Sequence, residues 1–462
     1  MNFRILHRLF SKALRIGISQ RDLIIFSALI GFVVGWISFL FYSLLSIIEG
    51  YVHEIVAVDG LGYWWLTPLI VGMGGLASGI LVYYFAPDAE GHGTDAVISS
   101  FHRRGFIPSI RTPIIKFLAS LATIGTGGSA GREGPMAQIG AGTASFLSRI
   151  FNSPIYFQRL SLLVGLAAGI GAMFKAPLGG AIFAIEVVYR RDFESEALIP
   201  AFIASLTGYA VMGYATGFEH VFLMKYKPLT NVLELVFYLI LGIATAVAGI
   251  AYVKVFYGVH KLFRSISIPR FVKPMIGGFL TGLLALLIPQ VLGGGYEWMP
   301  LFVEGSYPLS TLGRVVEIDM YRDIVVSFPL LLTLLFLKMF ATGFSIGSGG
   351  SGGVFAPGLF IGGVVGLLIS ILINYFIPDV IEDPTSFTSS MVIVGMVSLF
   401  GGVAKAPLSV LIMVSEMTGS YELMGPAMLS IAVSYFLTGR YSIYSEQIED
   451  RSRSPAHWRM LK

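Results

Sequence analysis

The sequence contains no cysteine, so neither disulfide bonds nor thiolate metal sites can form. Charged side chains are also scarce. They make up 13% of the chain, against about a quarter in ordinary soluble domains. The HExxH zinc motif and the phosphate-binding P-loop are absent as well. These absences argue against a soluble globular domain, and we expect no enzymatic activity, no metal, no cofactor and no nucleic-acid partner.

Long apolar runs dominate what is present, and the mean hydropathy is +0.78. The clearest runs are residues 24–48, 64–85, 235–253 and 339–378. Each is long enough for a helix to cross a hydrocarbon core of about 30 Å. The short alternating strands typical of a membrane β-barrel are absent from the pattern. The sequence therefore predicts an all-α polytopic protein of the cell membrane, surrounded by lipid bilayer.

Basic residues cluster in a few places. Residues 1–22 have cations at helical spacing with apolar residues between them, which favours an amphipathic helix on the cytoplasmic face. The alternative is a basic leader that is unstructured in solution. Further basic clusters occur at residues 102–116, at 189–191 and after Arg440. By the positive-inside rule these segments are cytoplasmic, so both termini are expected in the cytoplasm.

The chain contains an internal repeat. The segment GGSAGREGPMAQIGA (127–141) aligns without gaps with GGSGGVFAPGLFIGG (349–363), 222 residues later. MFKAPLGGAIFAIE (173–186) aligns with VAKAPLSVLIMVSE (403–416), 230 residues later. Two motifs in the same order at nearly the same spacing indicate duplication. We expect a first transmembrane repeat at 23–220, a second at 221–440, and a C-terminal ion-site helix with a basic tail at 441–462.

Both copies of the first motif interrupt an apolar run with glycines and a proline. In transporters, matching interruptions of this kind mark broken helices of two inverted repeats, which meet at a binding site near the membrane midplane. Broken backbone at that depth is tolerated only where it is buried in protein or lines a cavity. The alternative is that the glycines serve only close packing between helices.

Arg132 and Glu133 are the only charged residues between Phe117 and Ser148. Their repeat counterparts are Val354 and Phe355, so the shared architecture does not require the charges. A helix that begins inside the membrane attracts anions to its N-terminus. Glu133 could occupy such an anion site when ionised and leave it when protonated, which makes it a candidate gate and proton carrier. Alternatively, Arg132 neutralises Glu133 in a fixed ion pair.

These motifs resemble the CLC family of chloride channels and proton/chloride exchangers. The matching segments are GREGP (131–135), GVFAP (353–357), GHGTD (91–95), FKAPLGG (174–180) and IYSEQI (443–448). The resemblance implies a fold of about eighteen helices built from two inverted repeats, and a homodimer with one ion pathway per subunit. It implies that Glu133 is the gating glutamate. The anion-binding residues expected from it are His92, Gly93, Gly131, Arg132, Gly134, Gly353, Val354, Phe355, Ala356 and Tyr444.

Val187 is the first departure from the family pattern. Family exchangers often carry a second, inner glutamate directly after the residue matched by Glu186, and valine cannot carry a proton. This favours a chloride channel gated by Glu133. The alternative is a proton/chloride exchanger with another inner proton route, since Glu186, Asp192 and Glu194 are close in sequence. Glu186 could instead be architectural and cap a helix end beside the dimer contact.

His92 is the second departure, because it replaces a serine of the family. A neutral imidazole can donate one hydrogen bond to an anion and a charged one binds more strongly, so conduction is expected to depend on pH. The alternative is a histidine turned away from the ion. The third departure is at the end of the chain, where the nucleotide-binding CBS modules of many relatives are not expected.

Overall fold

The structure of the protein is a computed structural model. It describes residues 20–56, 62–221, 226, 232, 234–295, 298–303, 306–311, 314–319, 324–378, 381 and 383–458. Residues 1–19 of the predicted N-terminal amphipathic helix lie outside the described residues.

The described residues form seventeen α-helices and one β-hairpin. The first eight helices are α1 Gln20–Val56, α2 Thr67–Phe85, α3 Thr94–Ser99, α4 Arg111–Gly125, α5 Glu133–Ile150, α6 Ile155–Phe174, α7 Pro177–Glu186 and α8 Leu198–Thr216. The next eight are α9 Glu234–Ser265, α10 Lys273–Leu287, α11 Met299–Val303, α12 Ile324–Thr342, α13 Phe355–Phe376, α14 Pro384–Ala404, α15 Pro407–Thr418 and α16 Met424–Thr438. The last helix is α17 Pro455–Trp458, and the hairpin consists of β1 Ser306–Thr311 and β2 Arg314–Asp319.

Nine helices of the described chain are long and apolar enough to cross a membrane. This confirms the prediction of an all-α polytopic fold. The apolar run 339–378 is interrupted as predicted: α12 ends at Thr342, a π-turn follows, and α13 begins only at Phe355.

A short antiparallel hairpin between α11 and α12 accompanies the helices of the described chain. Ser306 is paired with Asp319, and Thr311 with Arg314. The two segments contain Tyr307, Thr311, Val315, Val316 and Ile318, and these residue types favour extended backbone. Each strand has only six residues, too few to stand out in a search for membrane-length runs.

Equivalent residues of the two repeats make reciprocal contacts. The Ser129 hydroxyl hydrogen-bonds the Thr342 hydroxyl (3.0 Å), and the Ser351 hydroxyl bonds that of Ser120 (2.9 Å). Ser351 lies 222 residues after Ser129, and Thr342 lies 222 residues after Ser120. The two pairs are therefore equivalent in the repeat. Each half of the chain therefore fastens its broken segment to a helix of the other half. The segments around Ser129 and Ser351 both have the pattern G-x-S-x-G, which in hydrolases carries a serine nucleophile assisted by a histidine. Neither of these hydroxyls has a histidine partner among the described residues.

Glu186 and Glu416 form a second reciprocal contact. Glu186 ends α7 and accepts a hydrogen bond from Ser409 N (2.7 Å) at the start of α15, while Glu416 near the end of α15 accepts one from Gly179 N (2.8 Å) at the start of α7. A carboxylate at a helix N-terminus is stabilised by the free N–H groups and by the helix dipole. This geometry supports the architectural interpretation of Glu186.

Glycine also permits close helix packing at equivalent places in both repeats. A Cβ on Gly140 of α5 would overlap the Gly165 carbonyl of α6, and a Cβ on Gly362 of α13 would overlap the Gly395 carbonyl of α14. The packing role of glycine is therefore real at these helix crossings. The glycines that precede α5 and α13 have a different role, which depends on the geometry of the site.

Candidate functional site

Three glycine-rich segments that are distant in sequence meet in space. Gly131 and Gly353 form an antiparallel pair, in which Gly131 N–H donates to the Gly353 carbonyl (2.8 Å) and Gly353 N–H donates back (2.6 Å). Gly91 joins them, since its N–H donates to the Gly350 carbonyl (3.1 Å) and its carbonyl accepts from Gly352 N–H (3.3 Å). The two predicted breaks and the GHGTD segment therefore form one backbone junction.

Two helices begin at this junction with their N-termini close together. α5 begins at Glu133 and α13 at Phe355, and among the described residues no side chain caps either start. Glycine is required for the approach, because a Cβ on Gly134 would lie 2.8 Å from the Gly353 Cα. The first N–H groups of a helix have no partners within it and carry partial positive charge. The junction is therefore suited to attract an anion.

The Glu133 carboxylate lies inside this junction. The residue is 1% exposed, although it belongs to the first turn of α5. A Cβ placed on Gly131 would overlap Glu133 Oε2 and would lie 3.1 Å from Ala356 N. The carboxylate thus folds back over Gly131 toward the start of α13. A negative charge at this place occupies the position that an anion would favour.

Arg132, the neighbour of Glu133, is directed toward α1. Its guanidinium lies over the Tyr42 ring, with 5.2 Å between Cζ and the ring centroid. Such a cation–π contact compensates part of the cost of placing a cation at membrane depth. The geometry gives Arg132 an identifiable role in joining α1 to the junction, and its contact with an anion remains a prediction.

Aromatic side chains surround the start of α13. The Phe355 ring lies 4.3 Å from that of Phe400 and 4.6 Å from that of Phe174, measured between centroids. The Tyr252 hydroxyl donates a hydrogen bond to the Val354 carbonyl (3.0 Å). This bond fixes the orientation of the peptide that precedes α13. Tyr252 is absent from the predicted site, because nothing in the repeat alignment distinguishes it from other buried aromatics.

The segment that carries Tyr444 is not the helix predicted for residues 441–462. It is irregular up to a 3-10 turn at Arg451–Arg453, and the Asp95 carboxylate accepts hydrogen bonds from the backbone N–H groups of Ser445 (3.1 Å) and Glu446 (3.2 Å). This side-chain acceptor competes with helical hydrogen bonding. Tyr444 is 1% exposed and is held near the junction by this contact.

His92 lies between Tyr444 and Asp95. Its ring centroid is 5.6 Å from that of Tyr444, and its Nε2 is 3.3 Å from Asp95 Oδ2. Its Nδ1 is buried and has no hydrogen-bond partner among the described residues. Gly93 follows with φ of +83°, a value that favours glycine, and caps the start of α3. The imidazole therefore faces Tyr444, in agreement with an orientation toward the site.

We predict that the His92 imidazole donates a hydrogen bond to the bound anion. Chloride affinity, measured by calorimetry in the Glu133→Gln background, should decrease about tenfold when His92→Phe is added, because phenylalanine keeps an aromatic ring but has no N–H to donate. The glutamine background removes the competing carboxylate. His92→Ser keeps a hydrogen-bond donor and should lose less affinity. Equal chloride affinity in all of these variants would exclude His92 from the anion site.

Val187 is buried and caps the end of α7. Its carbonyl accepts a hydrogen bond from Gln447 Nε2 (2.9 Å), and the same amide nitrogen donates to the Ala404 carbonyl (2.8 Å). Val187, which stands where an inner glutamate was expected, therefore helps to hold the C-terminal segment against the end of α7.

Two buried lysines were missed by the sequence interpretation. Lys116 is fully buried and donates to the Gly91 carbonyl (2.5 Å) and the Ala89 carbonyl (3.2 Å). Lys338, 222 residues later, is also fully buried and donates to three consecutive carbonyls, the closest being that of Gly293 (2.9 Å). The two lysines are separated by the 222-residue offset of the repeat, and this coincidence could have identified them from the sequence. Lys116 places a hydrogen-bonding amine behind the glycine segment that carries His92.

Comparison with known proteins agrees with this architecture. The family described as "Voltage gated chloride channel" matches residues 74–439. The H(+)/Cl(-) exchange transporter ClcA of Yersinia pseudotuberculosis is 30% identical over 381 residues, covering 81% of this chain and 75% of that protein. A chloride channel protein described as ClcB-like, from Ralstonia nicotianae, is 29% identical over 392 residues, covering 83% of this chain and 86% of that protein.

Solved structures show the same fold. A slow cyanobacterial Cl-/H+ antiporter superposes with a TM-score of 0.78 at 23% identity, covering 92% of this chain and 96% of the other. A CLC-type fluoride/proton antiporter gives a TM-score of 0.76 at 21% identity, covering 93% and 99%. The chain is therefore a CLC-type anion transport protein, a member of the voltage gated chloride channel family.

Proposed function

We propose that this protein exchanges chloride for protons across the membrane, with Glu133 shared by both ions. The observation that carries the proposal is the Glu133 carboxylate folded over Gly131 at the converging starts of α5 and α13. A carboxylate and a chloride at this junction compete for the same positive potential. Chloride binding then favours release or protonation of the carboxylate.

This competition couples the two ions thermodynamically. If chloride binding favours the protonated form of Glu133, protonation must favour chloride binding by the same factor. A cycle in which the carboxylate takes its proton from one side and returns it on the other would exchange the two ions. A channel requires only that the carboxylate move aside.

The names of the relatives support proton/chloride exchange more than they support the passive chloride channel that was predicted because valine occupies position 187. The Yersinia relative is named an exchange transporter, and two structural neighbours are titled antiporters. The Ralstonia relative, whose name is that of a channel protein, keeps the channel as the second candidate. The homodimer, the cytoplasmic placement of both termini, the residue boundaries of the repeats and the roles of the site residues remain predictions.

An exchanger without a glutamate at position 187 needs another inner proton acceptor. Both carboxylate oxygens of Glu186 accept backbone N–H groups of α15, from Leu408 (3.2 Å) and Ser409 (2.7 Å), so this side chain is engaged as a helix cap. Asp192 is half-buried and accepts a hydrogen bond from Arg451 N (2.9 Å). Both carboxylates are thus engaged by backbone N–H groups. A carboxylate whose side-chain neighbours can themselves exchange protons is a better candidate for the inner acceptor.

We propose Glu194 for that role. It is 1% exposed and follows the turn after α7, where its N–H donates to the Ile185 carbonyl (2.9 Å). Its carboxylate accepts a hydrogen bond from Tyr189 (2.8 Å), lies 3.0 Å from His457 Nε2, and pairs with Arg451 (3.1 Å). His457 and Arg451 are partly exposed and connect this buried carboxylate to solvent.

His102 is a less suitable candidate, although it lies nearby. Its two ring nitrogens hydrogen-bond the Ser454 hydroxyl and the Val188 carbonyl, each at 2.8 Å. Burial lowers the pKa of His102 to about 4, so the imidazole remains neutral above that pH. It therefore supports the segment around Val188 without carrying a charge at neutral pH.

The proposal is tested by chloride-driven proton pumping. Proteoliposomes are prepared with chloride concentrated on one side and no pH difference, and the membrane potential is held at zero by a potassium ionophore. We expect chloride to move down its gradient and protons to move in the opposite direction against the pH difference that develops. Chloride flux without proton movement would contradict exchange and would favour the channel.

A further inference from the structure

A basic cavity of about 490 Å³ lies away from the anion junction. Its wall is formed by the end of α2, the end of α9 and the turn that precedes α10. Two membrane-length helical segments end there, at Phe85 and Ser265, and a third begins there, at Arg270. Because all three spans end together, the cavity lies at the level of one membrane surface.

The cavity carries an excess of positive charge. Arg264, Arg270 and Lys273 line it, against one carboxylate, that of Glu90. Lys273 Nζ donates to the Phe263 carbonyl at the end of α9 (2.6 Å). Within the described part of the chain, the guanidinium groups of Arg264 and Arg270 have neither a hydrogen-bond nor an ion-pair partner.

The rim of the cavity is aromatic and exposed. Tyr83 lines the cavity, and Tyr84 and Phe85 follow it with 63% and 56% of their surfaces exposed. The Phe271 ring packs against both tyrosines, with centroids 6.1 Å and 5.9 Å apart. Exposed aromatic side chains at the end of a membrane helix are typical of the lipid headgroup level.

We propose that this cavity binds the phosphate group of an anionic phospholipid. The two guanidinium groups provide hydrogen-bond donors that match a phosphate. The exposed aromatic rim would contact the glycerol and the first part of the acyl chains. Clusters of basic residues beside membrane helices recognise anionic headgroups, and the positive-inside rule assigns this surface to the cytoplasmic leaflet.

The occupied cavity would touch the segments that form the anion junction. Its floor contains Glu90, one residue before Gly91, and Gly349, one residue before Gly350. Gly91 and Gly350 are joined by the backbone hydrogen bond of the junction. A Cβ on Gly349 would lie 3.3 Å from Glu90 Oε1, so these two segments are packed together at the floor. The lipid therefore stabilises the junction from the cytoplasmic side and increases the rate of chloride transport.

The proposal is tested by titrating the purified protein in detergent with dioctanoyl phosphatidylglycerol, with calorimetry as the readout. We expect saturable binding that becomes at least about tenfold weaker in the double variant Arg264→Gln/Arg270→Gln, because each cation near an anionic headgroup contributes about fivefold. The matched control is Lys261→Gln/Arg111→Gln. It removes the same charge from exposed positions outside the cavity and should bind as the unmodified protein does.

Two further measurements identify the ligand. Inorganic phosphate at equal concentration should not compete, and competition would assign the cavity to a soluble phosphate and overturn the lipid proposal. Chloride flux in phosphatidylcholine liposomes should increase when phosphatidylglycerol is added, and this increase should be lost in the Arg264→Gln/Arg270→Gln variant only. Absence of saturable binding, or equal weakening in both double variants, would also overturn the proposal. Gel filtration confirms that the variants remain folded.

Discussion

Replacing Glu133 by glutamine eliminates chloride-driven proton movement and leaves chloride flux in place. We expect proton flux to decrease by at least about a hundredfold, the scale on which a positioned side chain promotes proton transfer. Glutamine preserves the shape of the side chain but cannot release a proton. It also has no charge to compete with chloride at the starts of α5 and α13, so the anion site should bind chloride as well as before or more tightly. Proteoliposome flux assays for both ions give the measurement.

Glu133→Asp is the matched control for this experiment. It keeps a titratable carboxylate on the same residue with a shorter reach, so proton coupling should persist at a reduced rate. Proton movement that survives in Glu133→Gln would remove Glu133 from the proton route. Loss of chloride flux as well as proton flux in that variant, with normal gel filtration, would show that the carboxylate is needed to build the anion site.

Glu194→Gln should uncouple the two ions from the cytoplasmic side. Proton flux is expected to decrease by at least about tenfold, equivalent to about 1.4 kcal/mol of transition-state stabilisation, while chloride flux continues. The reason is that Glu194 is the buried carboxylate with both Tyr189 and His457 as neighbours (2.8 and 3.0 Å), so its replacement removes the group that exchanges protons with solvent. The ratio of proton to chloride flux is the readout, because a merely structural loss would lower both fluxes together.

Glu196→Gln is the control for Glu194. Glu196 is exposed and contacts the same Arg451 side chain at 2.6 Å, so the variant removes one charge from the same cluster without affecting the buried carboxylate. Its flux ratio should remain that of the unmodified protein. If Glu194→Gln retains full coupling while Glu133→Gln loses it, the inner route lies elsewhere and exchange itself is unaffected. If the unmodified protein shows no coupling, exchange fails independently of Glu194.

The parts of the site that involve the backbone were predictable from the sequence. A broken helix needs glycine and proline at a few consecutive positions, and the 222-residue repeat shows the same interruption twice. Arg132 and Glu133 align with the uncharged Val354 and Phe355 of the second repeat. This comparison showed that the broken-helix architecture does not need the two charges and pointed to a functional role for them. The structure places Glu133 and the glycines of both breaks at one junction, as expected for that pattern.

Other parts depend on contacts between distant segments and had no local signal. The residues around Tyr444 have no strong helix breaker before the tail, yet contacts with distant segments replace helical hydrogen bonds there. The Asp95 carboxylate accepts a hydrogen bond from Ser445, 350 residues away, and the Ile443 N–H donates to the Val403 carbonyl. Lys116 resembled one more cytoplasmic cation at the end of a basic cluster, yet its amine is buried behind Gly91. For Glu186 the sequence suggested a helix cap, and the folded chain was needed to identify the start of α15 as the helix that it caps.

The most direct test of proton/chloride exchange is the reversal potential of the purified protein in liposomes or a planar bilayer. The chloride gradient is held fixed, and the measurement is made with and without an opposing proton gradient. Exchange predicts a potential that departs from the chloride equilibrium potential and shifts when the proton gradient is applied. A potential that stays at the chloride value under every proton gradient would contradict exchange and would make Glu133 the gate of a passive channel.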